Sequence, residues 1–342
     1  MAVTIKDVAR EAGVSITTVS MVLNESDYPI SEKTKERVFQ VAKELNYVPN
    51  RIARSLARKK SDTIALVVPD ISNPFYPEMA KAVSEITEQR KYHLLLINTD
   101  NDRNKKQSWI DILEKGYVEG ALVVSRDPVL ISRIQDSPLR IKTVYLDEPG
   151  FEEVSGGTLV TGDSEHGGYL AAEHFIKTGL TKLACITGPE KTPNSGRRLS
   201  GFIKCCMEYG VYLESENILF GDYSYRGGYE AGQVLAQRDI EGIFCFNDLS
   251  AYGAIKAIKE MKLEIPEDIS VIGYDNLSMT QYIDPLLTTV DQFSAEIGRR
   301  GTQILFDLID GVEGASKTVL IEPKLIQRQT TKEKGERRIE SE

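Results

Sequence analysis

Residues 4–24 read TIKDVAREAGVSITTVSMVLN, and their spacing predicts two short helices joined by a tight turn. Thr4 suits an N-cap, and Asp7 stands three residues on, where an acid favours a helix start. Ile5, Val8, Ala9 and Ala12 keep the i, i+3, i+4, i+7 rhythm of one apolar face. Gly13 ends the helix as a left-handed C-cap. Ser15 caps a second helix that turns Val19, Val22 and Leu23 inward. A third helix, from Ser31 to about Tyr47, carries Val38, Val41, Ala42 and Leu45 on one side. Three short helices with a glycine-containing turn describe a helix-turn-helix unit, although a plain packing bundle has the same pattern. The second helix tips the balance. Its outward residues Ile16, Thr17, Thr18, Ser20 and Met21 carry no charge, whereas a solvated face ordinarily carries Glu or Lys. Hydroxyls and methyls suit the base edges of a DNA groove.

The charge distribution points the same way. The chain has 342 residues and a formal net charge of −9. Residues 1–60 hold eleven Lys/Arg against seven Asp/Glu, a balance of +4, so the remainder carries −13. A basic head on an acidic body suits contact with a polyanion. The basic excess is densest in PNRIARSLARKK, residues 49–60, which has five Arg or Lys and no acid. Residues 50–58 can form about two and a half helical turns capped by Asn50, a length that is marginal alone in water. The segment is therefore expected to stay disordered until it pairs with a second copy, through Ala53 and Ala57, or with DNA phosphates.

The 4–24 stretch resembles the N-terminal signature of the LacI/GalR family of bacterial transcription regulators, and the likeness continues through ELNYVPNRIARSL. That resemblance implies that the helix over 15–24 enters the major groove of a double-stranded operator. The DNA-contacting set it implies is Thr4, Ser15, Ile16, Thr17, Thr18, Met21, Asn24, Asn50, Arg51, Ala53, Arg54 and Leu56. Ile16, Thr17 and Met21 fall at base-reading positions. Met21 departs from the Arg or His usual there, and a thioether cannot make arginine's bidentate contact to guanine. The resemblance makes Leu56 an apolar wedge at the operator centre, which bends the duplex at the cost of unstacking. It also implies a homodimer with one head per half-site.

Beyond residue 60, apolar runs alternate with helical stretches. The candidate strands are 63–70, 93–100, 120–125, 142–147, 182–188, 242–248 and 269–276, with helices over 77–91, 104–115, 166–179, 226–238 and 249–262 between them. Continuous Val/Ile/Leu strands separated by helices indicate parallel sheets covered on both faces, here in two lobes. The expected fold is an all-α helix-turn-helix head on an α/β, two-lobed body resembling the type I periplasmic-binding-protein fold. The expected divisions are 1–48 for the head, 49–60 for a hinge helix or linker, 61–330 for effector binding and dimerisation, and 331–342 for a disordered tail. The same resemblance implies that segments 287–292 and 319–330 cross back between the lobes.

Ligands of such sheets bind beyond the carboxyl ends of the strands, where polar and aromatic residues collect. Phe75, Tyr76 and Tyr223 offer flat faces to a sugar ring. Asn73, Arg198, Asn247, Asp275 and Gln292 supply donors and acceptors for hydroxyls. Asp127, after the third strand, adds a carboxylate on a loose alignment. Each has a plainer reading: Asn73–Pro74 makes a turn unaided, Asp275 caps a helix, and Phe75 and Tyr76 belong to a core. Together they resemble the set of ribose-binding proteins and ribose-operon repressors, which implies a small sugar effector of the ribose type.

Other classes find little support. No GxxxxGK[ST] or GxSxG motif occurs, and His93, His166 and His174 lack zinc-site spacing. No metal, cofactor or enzymatic activity is expected. Cys185, Cys205, Cys206 and Cys245 read as free thiols, Cys185 and Cys245 within strands. The N-terminus shows no export signal and no run is long enough to span a membrane, so a cytoplasmic location is expected. In GDSEHGG, residues 162–168, the two glycines are expected to ease a helix start near a lobe crossover. The rival readings are a solute-binding protein, or an α/β enzyme with a regulatory head.

Overall fold

Thr4 and Asp7 form a reciprocal capping box at the start of α1 (Ile5–Ala12). The Asp7 carboxylate accepts from the Thr4 N–H at 3.0 Å and hydroxyl at 2.7 Å, and those bonds hold its pKa below the usual value. Gly13 ends α1 at φ +62°, a conformation only glycine adopts at little cost. α2 (Ile16–Leu23) and α3 (Glu32–Glu44) complete the unit. Val8, Ala12, Val19, Val22 and Val38 meet in its core. This computed structural model describes residues 3–23, 28–47, 60–100, 106–114, 117–125, 131–132, 134, 141–147, 157–190, 192–312, 314 and 318–333. The chain divides into two compact units between Ser61 and Asp62.

The second unit holds two six-stranded sheets. In the first lobe β1 (Thr63–Val68), β2 (His93–Asn98), β3 (Gly120–Val123), β4 (Lys142–Leu146), β5 (Thr158–Gly162) and β11 (Thr318–Ile321) lie in the order β11-β5-β4-β3-β1-β2, all parallel. Alternate residues of β1 serve opposite faces, as strand geometry requires. Ile64, Leu66 and Val68 pack with α4 (Phe75–Gln89) and α10 (Ser294–Ile309). Ala65 and Val67 pack with Trp109, Ile110 and Leu113 of α5 (Lys106–Glu114).

The second lobe orders β6 (Leu183–Thr187), β7 (Ile218–Phe220), β8 (Gly242–Cys245), β9 (Ser270–Tyr274), β10 (Thr288–Asp291) and β12 (Lys324–Ile326) as β12-β10-β9-β8-β6-β7. Its helices are α6 (Ser164–Lys177), α7 (Pro193–Glu208), α8 (Tyr225–Leu235) and α9 (Asp248–Glu260). Every pairing is parallel except β12 with β10. β12 is an edge strand entering directly from β11 of the other lobe, without a helical crossover to reverse its direction. The chain passes between the lobes after β5, after β10 and between β11 and β12.

Three sequence expectations are corrected here. The body continues beyond 330: Thr331 is 3% exposed, and its hydroxyl bonds the Thr288 hydroxyl at 3.0 Å and the His174 Nε2 at 2.9 Å. Residues 334–342 lie outside the described residues. The glycines of 162–168 act at packing contacts instead of a helix start, for α6 begins at Ser164 with Asp163 as its cap. A Cβ on Gly168 would stand 1.9 Å from the Arg198 carbonyl oxygen, and one on Gly201 would stand 1.7 Å from that of Glu165, so α6 and α7 touch backbone to backbone. The strands β5 and β7 and the helices α7 and α10 were not among the expected elements.

All four cysteines are buried free thiols. Cys185 and Cys245 fall on opposite faces of the second sheet. Burial raises the pKa of Cys185 well above that of an ordinary thiol. Among the described residues no helix is long and apolar enough to cross a membrane, and no group of His, Cys, Asp or Glu is placed to hold a metal.

Candidate functional sites

On the head, α2 presents Ile16, 45% exposed, and an exposed Thr17. Ser15 caps α2: its Oγ accepts from the Thr18 N–H at 3.0 Å and lies 2.8 Å from the Thr18 hydroxyl. Ser15 and Thr18 thus fix the helix start, and Met21 is half-buried further along it. Thr4 spends its hydroxyl on the capping box. Asn24, Asn50, Arg51, Ala53, Arg54 and Leu56 lie outside the described residues, as does the whole 50–58 helix.

In the body, a cavity of about 360 Å³ opens between the two lobes at the carboxyl ends of the strands. The first lobe contributes Asn73, Phe75, Tyr76 and Asp147; the second contributes Asn194, Arg198, Tyr223, Asn247 and Asp275; Gln292 comes from a crossover. Eight of the nine ligand-site residues expected from sequence therefore line one cavity. The ninth, Asp127, lies outside the described residues. Asp147 and Asn194 were missed. Asp147 stands directly after β4, in the strand-end position that singled out Asp275, and only its lack of a motif hid it.

The side chains divide into framing and offering groups. Asn247 frames: it caps α9 by accepting from the Ser250 N–H at 3.0 Å and donates to the Tyr223 carbonyl at 2.8 Å. That bond holds Tyr223 at φ +66°, and its hydroxyl donates to Asn194 Oδ1 at 3.1 Å. Asn73 likewise takes the Phe75 N–H on its side chain at 3.1 Å, at the entrance to α4. Phe75 and Tyr76 are 3% and 5% exposed and mostly serve the first lobe's core, so they give the cavity edges more than flat platforms.

Arg198 is 2% exposed; its Nη1 donates to the Phe246 carbonyl at 2.5 Å, and its guanidinium lies 3.7 Å over the Tyr274 ring. Stacking and a carbonyl bond hold the cation rigid. Gln292 donates to Asp275 Oδ1 at 2.5 Å. Burial pushes the Asp275 carboxyl up to about 7, against the pull of Arg198 and the Gln292 bond, while Asp147 pushes it further up. Among the described residues, three buried atoms of the cavity have no hydrogen-bond partner: Asp147 Oδ1, Arg198 Nε and Gln292 Oε1. An unpaired buried polar atom costs about 1–3 kcal/mol. Two acceptors and one donor are thus presented by three separate parts of the body.

Two family models match the chain: bacterial regulatory proteins of the lacI family over residues 4–50, and the periplasmic binding protein-like domain over residues 172–331. The HTH-type transcriptional repressor PurR of Photobacterium profundum is 34% identical over 337 residues, spanning 96% of this chain and 99% of that protein. The lac repressor dimer bound to operator and the anti-inducer ONPF matches with a TM-score of 0.87 at 26% identity, over 97% of this chain and 99% of that one. A LacI family transcriptional regulator from Enterococcus faecium with bound ribose matches with a TM-score of 0.71 at 28% identity, over 79% of this chain and 98% of that one.

Proposed function

This chain belongs to the LacI family of DNA-binding bacterial regulators, and from that premise we propose that it is a homodimeric repressor whose effector is a pentose of the ribose type. The observation that carries the effector reading is the trio of unpaired buried atoms, Asp147 Oδ1, Arg198 Nε and Gln292 Oε1, beside the Asp275 carboxyl. A furanose or pyranose ring carries hydroxyls on several edges, and each hydroxyl both donates and accepts. Such a ligand meets two acceptors and a donor without carrying a charge into a buried site. The ribose bound to the Enterococcus faecium regulator supports the same chemistry.

The likeness to PurR raises a second reading, a purine base. A planar heterocycle stacks on aromatic faces, and here Phe75 and Tyr76 show little face, Tyr223 and Tyr225 line the cavity's second-lobe side, and carboxylates and amides abound. That balance favours the sugar. The operator-bound dimer of the lac repressor supports a dimer. On this reading, residues 50–58 order only when two chains sit on one duplex, with Arg51 and Arg54 on phosphates and Leu56 as the wedge. Asp127 belongs to the proposed effector set on sequence grounds alone.

Calorimetry with D-ribose, D-xylose, D-glucose and hypoxanthine, paired with gel shifts, tests the proposal. Ribose is expected to bind once per chain and to change operator affinity. Binding of hypoxanthine alone would replace the sugar by the base.

A further inference from the structure

The loop after β9 carries Asp275 at its base and then leaves its own lobe. Asp275 and Asn276 have φ of 112° and 54°. Leu277 is fully buried in the core of the first lobe, with Phe75, Tyr76 and Met79. Ser278 opens a short 3-10 turn (Ser278–Gln281). Its backbone N–H and its hydroxyl both donate to Glu78 Oε1, at 2.9 and 2.7 Å. Glu78 lies in the first turn of α4, in the first lobe.

The same loop is pinned to the second lobe. The Leu277 N–H donates to Asp248 Oδ2 at 2.8 Å, and Arg328 Nη2 donates to Asn276 Oδ1 at 2.7 Å. Asn276 Nδ2 donates to Asp291 Oδ2 at 2.9 Å. Asp291 immediately precedes Gln292, the residue that holds Asp275. A short rigid piece thus reaches from a cavity carboxyl across to the opposite lobe.

We propose that Glu78 and Ser278 form an interlobe latch that positions Asp275 and ties occupation of the cavity to the angle between the lobes. The inference rests on the cavity being the effector site. Glu78 does not line the cavity, so it acts through the loop as a positioning residue. Both latch bonds converge on one carboxylate oxygen and are charge-assisted. Parting the lobes breaks both bonds and draws Leu277 out of apolar surroundings. With the latch closed, Asp275 is held in place before an effector arrives, and less order is lost on binding.

The test uses the full chain. D-ribose binding is measured by calorimetry, and amide hydrogen exchange over 276–281 is measured without sugar. Glu78→Ala is expected to raise the ribose Kd about five- to tenfold. It should speed exchange at the Ser278 amide at least about tenfold and leave the melting temperature nearly unchanged. Glu78→Gln keeps an acceptor oxygen and should stay within about threefold of the wild-type Kd. Ser278→Ala combined with Glu78→Ala should be less than additive, as for two ends of one contact. Unchanged exchange in Glu78→Ala overturns the latch. Faster exchange with an unchanged Kd overturns the coupling. If the wild-type chain ignores ribose, the sugar reading fails on its own, and the exchange measurement still decides the latch.

Discussion

Replacing Gly168 by alanine tests how the cavity is built from behind. A Cβ there meets the Arg198 carbonyl oxygen at 1.9 Å and its carbon at 2.8 Å, where ordinary contact begins at 3.4 Å. The obstacle is backbone and cannot rotate away. α6 and α7 must therefore part by roughly 1.5 Å in a close-packed interior. Arg198 moves with α7, and its 2.5 Å bond to the Phe246 carbonyl stretches beyond hydrogen-bond range. Overpacking of this kind costs about 1–3 kcal/mol, which lowers the melting temperature by about 2–4 °C per kcal/mol. Loss of a charge-assisted hydrogen bond worth about 1.5–3 kcal/mol weakens effector binding roughly 10- to 150-fold. Gly196, on the same helix, has nothing within 4 Å of its Cβ position. Gly196→Ala should leave binding intact and stabilise by up to about 1 kcal/mol. Thermal melting and D-ribose calorimetry on both variants decide the matter. A Gly168→Ala chain that melts like wild type refutes the backbone contact. One that melts early but binds fully refutes the role given to Arg198.

The pH dependence follows from Asp275. Its folded pKa, about 7, lies above the ordinary carboxyl value of 3.8, so the native state holds this proton more tightly than the unfolded chain. Its contribution to stability is complete below about pH 4 and is lost as the pH rises to 7, by at most about 1.4 kcal/mol per unit. Asp275→Asn should remove that part of the slope, measured as wild type minus variant by denaturant unfolding from pH 4 to 8. Ribose affinity should rise over about pH 6–8, the window centred on that pKa, and level off above it as the carboxylate forms; a flat profile in the wild type would exclude Asp275 from binding. At the head, Arg54→Ala should weaken binding to all duplexes and shrink the salt slope by about 0.9 for each phosphate that Arg54 neutralises. An unchanged slope in a filter-binding series rules that role out. Leu56→Ala should weaken operator binding more than nonspecific binding, and equal losses on both DNAs reject the wedge.

What the sequence disclosed, it disclosed through local rules. Thr4, Asp7, Gly13 and Ser15 do within a few residues what caps do anywhere, so the head was legible down to its hydrogen bonds. Most strands of the body were legible because a parallel sheet buried on both faces demands unbroken apolar runs; β5 escaped because its threonines and glycine break the run although all five residues are buried. β7 was not legible either, since its three residues Ile218–Phe220 sit at an edge and leave Phe220 63% exposed. Nor was the division of labour within the cavity. Asn247 and Asp275 look alike in sequence, each a polar residue near a strand end. Asn247 turns out to spend its amide on Ser250 and Tyr223, while Asp275 lies beside the unpaired atoms of Asp147, Arg198 and Gln292. The bonds between Glu78 and Ser278 join residues 200 apart and leave no local trace.

The placement of those three unpaired atoms has a consequence for regulation. Asp147 belongs to the first lobe, Arg198 to the second and Gln292 to a segment that crosses between them. No ligand can satisfy all three from one lobe. A ligand that does satisfy them binds one lobe angle better than any other, and that difference is the whole of the free energy it can spend on moving the lobes. With each satisfied atom worth about 1–3 kcal/mol, even one atom paired at a single angle supplies coupling of the size typical of allosteric proteins, about 1–3 kcal/mol. By reciprocity, operator DNA that favours one lobe angle must change effector affinity by the same factor. Calorimetry of ribose with and without operator should therefore show the shift that gel mobility shows with and without ribose. Two unequal factors would mean that the cavity and the head are not linked through a single equilibrium.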